Sequence, residues 1–504
     1  MVTTSTSDQS SPQQRLHIVH VAAELTPIAK VGGLGDVVAG LSAQHQKMGQ
    51  QVDIILPKYD CLLFDQIEDM TQVQTDLQVP WDHGMVNCTV WKGTVHGLSC
   101  TFIDPDSEHR FYQRQVVYGE ADDVQRFAFL SRAAVEFLWQ TQSFPDIIHC
   151  HDWQTGLVPV FLFEIYQQLG MTKPRVCFTM HNFKHQGLAG RDLLETTGLH
   201  RQDYFCNADS LLDLSNSHVL NLAKGGIVFS NFVTTVSPTH AIEVMDEDQG
   251  FGLEPVLQSH RDKVSGILNG VDYDYFNPAT DTAVTKPYTV DTIDHKQANK
   301  QALRQRFSLA QNHKPLVAFI GRLDPQKGLE LVQHALLTTV QNDGQFILLG
   351  SSLDPVINQR FKDLAIQFAD SADVHVEIGF DESLSRQIYA GSDFMVVPSK
   401  FEPCGLTQLI AMRYASVPIV RETGGLADTV FDIDYSEKPE TQRNGFVFKD
   451  FNQTGLDSAL HRALNYYQQQ PEQYQQIALN AMRSDYSWNQ PAQEYLNIYH
   501  SIRK

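Results

Sequence analysis

The stretch KVGGLGD, residues 30–36, joins a predicted strand to a predicted helix and decides how the fold is interpreted. Residues 16–23 before it are mostly apolar and β-branched, which is typical of a buried strand. Apolar residues then recur at helical spacing over residues 37–45. Glycines let the backbone approach a ligand, helix N-terminal N–H groups attract anions, and Lys30 adds a positive charge. The loop predicts a phosphate site, although its glycines fit neither the dinucleotide nor the P-loop spacing. The alternative is a tight strand-to-helix turn with an exposed lysine.

Length and composition restrict the class of protein. A chain of 504 residues exceeds the roughly 250–300 residues that share one hydrophobic core, so two domains are expected. The formal net charge of −21 argues against binding to nucleic acid or anionic membranes, whereas a neutral glucan would not be repelled. The seven cysteines include no C-x-x-C pair, which indicates reduced thiols in a cytosol. No stretch approaches the roughly 20 apolar residues of a membrane span.

The start of the chain is polar and has no apolar core, so it is not a signal peptide. Residues 1–15 are interpreted as a disordered lead-in. The expected location is the bacterial cytoplasm, and a remnant of a plastid transit peptide, with a place in the plastid stroma, is the alternative.

The first half of the chain alternates strands and helices. A helix is predicted over residues 122–140, and residues 81–104 alternate like a small antiparallel meander inserted in the α/β unit. Further strands are predicted at residues 51–57, 145–153, 174–180 and 232–236.

Polar side chains end two of these strands. Ligands of open α/β sheets bind at the carboxyl ends of strands, where His151, Asp152 and His181 are expected, so a cleft is predicted there. For one histidine alone, a locally hydrogen-bonded loop residue is the simpler interpretation. Metal binding by His149, His151 and Asp152 is considered but not predicted, because alternation places the two histidines on one sheet face without a clear third ligand.

The second half repeats the pattern after a segment without periodicity, residues 273–293, which predicts a domain boundary after Asp272. A helix begins at Lys296, and strands are predicted at residues 316–323, 346–349, 374–378, 394–397 and 418–420. Two successive series of this kind predict two Rossmann-like domains that face each other across a deep cleft.

Charged residues in the second half also lie at predicted strand ends. Arg322 and Lys327 flank one strand-to-helix loop and could converge on one phosphate, although each alone could be a surface cation. The stretch TGGL at residues 423–426 opens a helix with glycine N–H groups. Glu402 lies between a predicted strand and a predicted helix and is a candidate site residue. The alternative is a structural acid that complements the dipole at the N-terminus of the helix.

These stretches together resemble a known family. The sequences KVGGL at 30–34, GRL at 321–323 with QKG at 326–328, FEPCGLTQ at 401–408 and TGGL at 423–426 are similar to bacterial glycogen synthase and plant starch synthase. The similarity extends from Leu16 nearly to the end of the chain. The stretches KYDC at 58–61, HCHDWQT at 149–155 and KGGIVFSN at 224–231 look most like classes III and IV of soluble starch synthase.

The resemblance implies a glycosyltransferase-B fold and a retaining hexosyltransferase. It implies an N-terminal acceptor-side domain over residues 16–272, a nucleotide-sugar domain over 273–485, and a C-terminal helix over 486–504 that crosses back to the N-domain. The implied donor is ADP-glucose, and the implied acceptor is an α-1,4-glucan or malto-oligosaccharide. No cofactor and no metal are implied, because lysine and arginine side chains can neutralise the departing diphosphate.

The resemblance also implies a set of site residues. The expected catalytic residues are Lys30, His181, Arg322, Lys327 and Glu402. The expected substrate-binding residues are Gly32, Gly33, Asp36, Asp152, Asn269, Phe380, Cys404, Gly405, Leu406, Thr423, Gly424 and Gly425. Among them, Arg322 and Lys327 hold the diphosphate, Gly424 and Gly425 offer N–H groups to phosphate, Glu402 binds sugar hydroxyls and Phe380 packs on adenine.

Two other functions stay open on the sequence alone. A transferase of the same fold that uses UDP-glucose would keep Arg322, Lys327 and Glu402. A non-catalytic glucan-binding scaffold would not need cations at a leaving group. The expected reaction is front-side transfer to the 4-hydroxyl at the non-reducing end, and Lys30 is expected to meet the donor when the domains close.

Overall fold

A computed structural model describes residues 15–246 and 248–503. The predicted lead-in over residues 1–15 therefore lies outside the described residues except for Arg15. In the described part of the chain, no helix is both long and apolar enough to cross a bilayer.

The strands, in chain order, are β1 His17–Val21, β2 Gln51–Pro57, β3 Glu68–Trp81, β4 Gly84–Val95, β5 Leu98–Asp106, β6 Ile147–His151, β7 Arg175–Met180, β8 Leu188–Gly190, β9 Val219–Asn221, β10 Phe232–Thr235, β11 Val264–Gly266, β12 Leu316–Arg322, β13 Gln345–Ser351, β14 Val374–Ile378, β15 Phe394–Val397, β16 Val417–Arg421 and β17 Phe446–Phe448.

The α-helices are α1 Gly33–Lys47, α2 Asp123–Gln140, α3 Val158–Phe161, α4 Leu193–Thr197, α5 Gln202–Phe205, α6 Leu222–Phe229, α7 Pro238–Asp246, α8 Glu254–Ser259, α9 Lys296–Arg306, α10 Leu329–Gln341, α11 Pro355–Gln367, α12 Glu382–Gly391, α13 Thr407–Arg413, α14 Gly424–Thr429, α15 Gln453–Gln469, α16 Pro471–Arg483 and α17 Asn489–Arg503.

The chain divides into two compact units. Of the described residues, the first unit contains 15–234, 255–263 and 492–503, and the second contains 235–246, 248–254 and 264–491. The sequence predicts a boundary after Asp272 and a C-terminal helix over residues 486–504, and those domain limits stay predictions. Within the first unit, α17 is fixed by Tyr499, whose hydroxyl lies 2.7 Å from Nδ1 of His149.

The larger sheet has the strand order β11-β10-β7-β6-β1-β2-β5-β4-β3. Its central strands are parallel, and β1 pairs with both β2 and β6. The predicted meander is antiparallel, and β5 also pairs in parallel with β2, so the meander extends the main sheet. β3 begins at Glu68, well before the predicted start.

The second sheet is entirely parallel, in the order β14-β13-β12-β15-β16-β17. This is the order 3-2-1-4-5-6 of a Rossmann fold, in which ligands bind at the carboxyl ends of the strands where the order reverses. The five predicted strands are all present, and β17 is a sixth that the sequence pattern did not reveal. In this unit the reversal lies between β12 and β15, and in the larger sheet between β1 and β6.

Candidate active site

The loop after β1 is built around a buried carboxylate. Oε2 of Glu24 accepts hydrogen bonds from the backbone N–H groups of Val31 at 2.8 Å and Gly32 at 2.9 Å. Its Oε1 accepts one from the hydroxyl of Tyr118 at 2.9 Å. The N–H groups of Val31 and Gly32, in the loop that is predicted to bind a phosphate, are therefore bonded to Glu24, which lies only seven residues before Val31.

Lys30 is paired within the same loop. Its Nζ lies 2.9 Å from Oδ1 of Asp36, which also accepts the hydroxyl hydrogen of Thr26 at 2.8 Å. Asp36 is in the first turn of α1, and Gly33 is the first residue of that helix. Of the predicted residues in this loop, Lys30 and Asp36 are thus in contact, and Asp36 orients the cation.

The end of β6 carries a strained residue. Asp152 has φ 57° and ψ 178°, a conformation found almost only at glycine and costing on the order of 1–3 kcal/mol elsewhere. Its Oδ1 accepts the backbone N–H of His181 at 2.6 Å, which joins the ends of β6 and β7. Burial raises the pKa of Asp152 to about 7, although hydrogen bonds from the backbone N–H groups of His181 and Asn182 lower it. The predicted neighbours Asp152 and His181 are therefore in contact.

A chain of imidazoles lies beneath this pair. Nδ1 of His20 is 3.0 Å from Nε2 of His151, and Nδ1 of His151 is 3.1 Å from Nε2 of His181. His20 is on β1, where it pairs in register with His149 of β6. Sequence reasoning missed His20, although the alternation of β1 places it beside β6 once the two strands are known to be neighbours.

His20 also corrects the reason given against a metal. Nitrogens of His20, His149 and His151 all lie within 4.8 Å of one another, so a third imidazole is present after all. Each ring already has hydrogen-bond partners: His149 contacts Thr179 through Nε2 at 2.6 Å and Tyr499 through Nδ1. The three rings are fully buried, and five of their six ring nitrogens have a hydrogen-bond partner, whereas Nε2 of His20 has none among the described residues.

In the second unit, adjacent strands bring a cation and a carboxylate together. Lys327 ends a 3-10 turn, Pro325–Lys327, after β12, and Glu402 follows β15. Because β12 and β15 are parallel neighbours, Nζ of Lys327 lies 2.5 Å from Oε2 of Glu402. The same oxygen accepts the hydroxyl hydrogen of Ser399 at 2.8 Å. Arg322, the last residue of β12, is exposed.

The loop that follows Glu402 is tightly packed. Gly405 has φ +74°, and a Cβ there would lie 2.4 Å from Oε1 of Gln408. Burial raises the pKa of Cys404 to about 12, so its thiol is not a nucleophile. Asn269 is near enough to lower the pKa of this thiol slightly, and both residues are buried. Leu406 precedes α13 and is half-buried.

The glycines at the start of α14 allow close backbone packing. A Cβ on Gly424 would lie 2.0 Å from the carbonyl oxygen of Glu402, and one on Gly425 would lie 2.1 Å from that of Cys404. Oε1 of Glu243 accepts hydrogen bonds from the Thr423 hydroxyl and the Gly424 N–H, both at 2.9 Å. The N–H of Gly425 donates to the carbonyl of Glu402 at 3.0 Å.

These contacts show which groups the N–H donors of this turn bond within the second unit, and the phosphate contacts of Gly424 and Gly425 stay predictions. In the structure, the N–H groups of Gly424 and Gly425 already have acceptors within the second unit. A phosphate at Gly424 would have to replace Glu243, which sequence reasoning missed because it lies 181 residues earlier in the chain. Phe380, by contrast, is 78% exposed in the loop between β14 and α12, and its packing on adenine stays a prediction.

Comparison with known proteins gives one consistent result. Residues 17–259 match a family model described as the starch synthase catalytic domain, and residues 301–482 match one described as glycosyl transferases group 1. A protein named glycogen synthase 2 from Methylococcus capsulatus is 57% identical over 96% of this chain and 100% of its own. Glycogen synthase 1 from Nitrosococcus oceani is 51% identical over 97% of this chain and 100% of its own.

The solved structures agree. The catalytic domain of starch synthase IV from Arabidopsis thaliana, bound to ADP and acarbose, matches with a TM-score of 0.94 and 44% identity over 97% of this chain and 100% of that one. A sucrose-phosphate synthase from Thermosynechococcus elongatus, 17% identical with a TM-score of 0.60 over 97% of this chain and 99% of that one, shares the fold alone. The predicted glycosyltransferase-B fold class and the resemblance to starch synthase IV are confirmed.

Proposed function

The chain belongs to the glycogen synthase family, and from this premise we propose that it transfers glucose from ADP-glucose to the 4-hydroxyl at the non-reducing end of an α-1,4-glucan, with retention of configuration. The observation that carries the proposal is the contact between Lys327 and Glu402 at the order reversal of the second sheet. The presence of ADP in the Arabidopsis starch synthase IV structure supports an adenine nucleotide donor.

The chemistry requires opposite charges at the two ends of one bond. When the bond between the anomeric carbon and the phosphate oxygen breaks, positive charge develops on the sugar ring and negative charge on the departing ADP. Fixed cations at the leaving group stabilise this transition state more than the ground state. Lys327 and Arg322 supply those cations, and Glu402 supplies a carboxylate for the sugar.

The remaining steps need no additional base from the protein. The acceptor oxygen forms the new bond on the face that the phosphate leaves, and its proton passes to the departing phosphate oxygen. His181, held by Asp152, and Asn269 contact the donor glucose. Lys30 adds positive charge, and Gly32, Gly33, Gly405, Leu406 and Thr423 shape the backbone around the substrate.

The bacterial relatives support a role in a bacterial cytoplasm, where this reaction would add single glucose units to a storage polymer. The predicted cysteine chemistry agrees, since all seven cysteines are free thiols. The protein would act on a neutral polymer, in keeping with its net charge of −21.

A competition experiment tests the donor. Purified protein is given glycogen with equal concentrations of ADP-glucose and UDP-glucose, each labelled differently in its glucose. We expect the label from ADP-glucose to predominate in the polymer, and predominance of the UDP-glucose label would overturn the donor assignment.

The Glu402→Ala variant separates an enzyme from a scaffold. We expect it to lose elongation while still co-sedimenting with glycogen, because Glu402 acts at the reacting sugar. Unchanged elongation would overturn the proposed site. Glycogen binding by the wild-type protein without any elongation would favour the scaffold.

A further inference from the structure

The three imidazoles from β1, β6 and the end of β7 form an unbranched hydrogen-bonded chain, His20–His151–His181. The two N···N distances are 3.0 Å and 3.1 Å. His20 and His151 have no exposed surface, whereas His181 is half-buried and its chain contact uses only Nε2. One ring nitrogen of His181, Nδ1, is thus left outside the chain.

All three rings are neutral. Burial lowers the pKa of His20 and of His181 to about 3, and it lowers the pKa of His151 well below its usual range. A neutral imidazole has one N–H donor and one acceptor nitrogen. His151 uses both nitrogens in the chain, so its two hydrogen bonds must run in the same direction. The chain therefore has only two hydrogen arrangements.

The buried end of the chain distinguishes these arrangements. Nε2 of His20 is buried and has no hydrogen-bond partner among the described residues. If hydrogens point toward His20, this atom carries an orphaned N–H; if they point toward His181, it carries only an unpaired acceptor. Orphaned buried N–H groups are rarer in proteins than under-satisfied acceptors. The second arrangement is therefore favoured: His20 donates to His151, and His151 donates to Nε2 of His181.

We propose that His151, oriented by His20, is a positioning residue that holds His181 in the tautomer with its hydrogen on Nδ1. His181 then presents a neutral N–H donor to an oxygen of its ligand, a sugar hydroxyl or the oxygen of the bond being broken. This proposal rests on the proposed function in taking His181 as a substrate contact. The tautomer itself depends only on the contacts within the first unit.

Nitrogen NMR of the protein labelled at its histidine rings tests the tautomer directly. The His181 signal is identified by its loss in the His181→Gln variant. We expect the pattern of an Nδ1–H ring in the wild type and in His151→Asn, since the asparagine amide can still donate near the position of Nδ1. In His151→Leu we expect the Nε2–H pattern, which free histidine prefers in water. An Nε2–H ring in the wild type would overturn the proposal.

His149→Gln is the matched control, because His149 is equally buried beside the chain but is bonded to Thr179 and Tyr499 instead. In His149→Gln the His181 signal should stay as in the wild type. An equal change of that signal in His149→Gln and in His151→Leu would overturn the specific role of His151. In elongation assays, kcat should fall at least about tenfold in His151→Leu and recover in His151→Asn. If His181→Gln leaves elongation unchanged while the wild-type ring is Nδ1–H, the catalytic role of His181 fails and the tautomer assignment stands.

Discussion

Replacing Glu402 by glutamine removes one charge from the centre of the proposed site with little change of shape. Glu402 is 5% exposed, and its Oε2 contacts Nζ of Lys327 at 2.5 Å and the hydroxyl of Ser399 at 2.8 Å. The glutamine amide oxygen can still accept both hydrogen bonds. The substitution therefore tests the charge of Glu402 rather than its volume.

The magnitude follows from the surroundings of the pair. Removing one partner of a fully buried ion pair costs about 3–5 kcal/mol, but the Lys327 side chain is still 16% exposed and water can solvate it. The loss of one charge-assisted hydrogen bond, about 1.5–3 kcal/mol, is the better estimate. If the carboxylate stabilises the transition state to the same extent, kcat falls roughly tenfold to a hundredfold.

The assay measures initial rates of glucose transfer from ADP-glucose to glycogen for Glu402→Gln, Lys327→Met and the double variant. Because the two side chains are in contact, we expect their effects on the activation free energy to be non-additive by about 0.5–3 kcal/mol. The same Glu→Gln change at Glu422, which is in an exposed ion pair with Lys449, is the control and should alter the rate little. An unchanged kcat in Glu402→Gln, or strictly additive effects, would refute the reasoning.

Two further variants test other parts of the structure. The pKa of Asp152 is raised to about 7 in the folded protein. Between about pH 4 and 7 the folded state therefore keeps a proton that the unfolded chain releases. Because of this difference, the carboxyl lowers the free energy of unfolding as pH rises through that window. The urea midpoint of Asp152→Asn minus that of the wild type should therefore be larger at pH 8 than at pH 5. An equal difference at both pH values would contradict the raised pKa. In Gly425→Ala the new Cβ would lie 2.1 Å from the Cys404 carbonyl oxygen, so the free energy of unfolding should fall by about 1–3 kcal/mol. A Cβ on Gly379 would have no atom within 4 Å, so Gly379→Ala should lose much less. Equal urea midpoints for the two alanine variants would show that this backbone contact is not tight.

Local sequence pattern was enough to predict most strands of the two large sheets. The strands Val374–Ile378 and Phe394–Val397 were predicted to the residue, because short β-branched runs between turn residues have few other interpretations. The antiparallel meander was predicted, but its attachment to the main sheet was not, because that depends on the pairing of β5 with β2, which is a contact between distant segments.

The candidate site was predicted only in part, for a related reason. Lys327 and Glu402 were both selected from the sequence, and parallel pairing of β12 with β15 brings them together. The carboxylates of Glu24 and Glu243 were missed, because an acid that bonds backbone N–H groups of another segment leaves no periodic signal in the sequence. In the structure these carboxylates accept backbone N–H groups of the two glycine-containing turns, and the phosphate contacts predicted for the turns stay predictions.

The most direct test of the proposed reaction uses a defined acceptor. The protein is incubated with ADP-glucose and maltoheptaose, products are separated by chain length, and the anomeric proton of each added glucose is examined by NMR. The account predicts longer oligosaccharides whose new linkages are α-1,4. New β linkages, or no product longer than the acceptor, would contradict it.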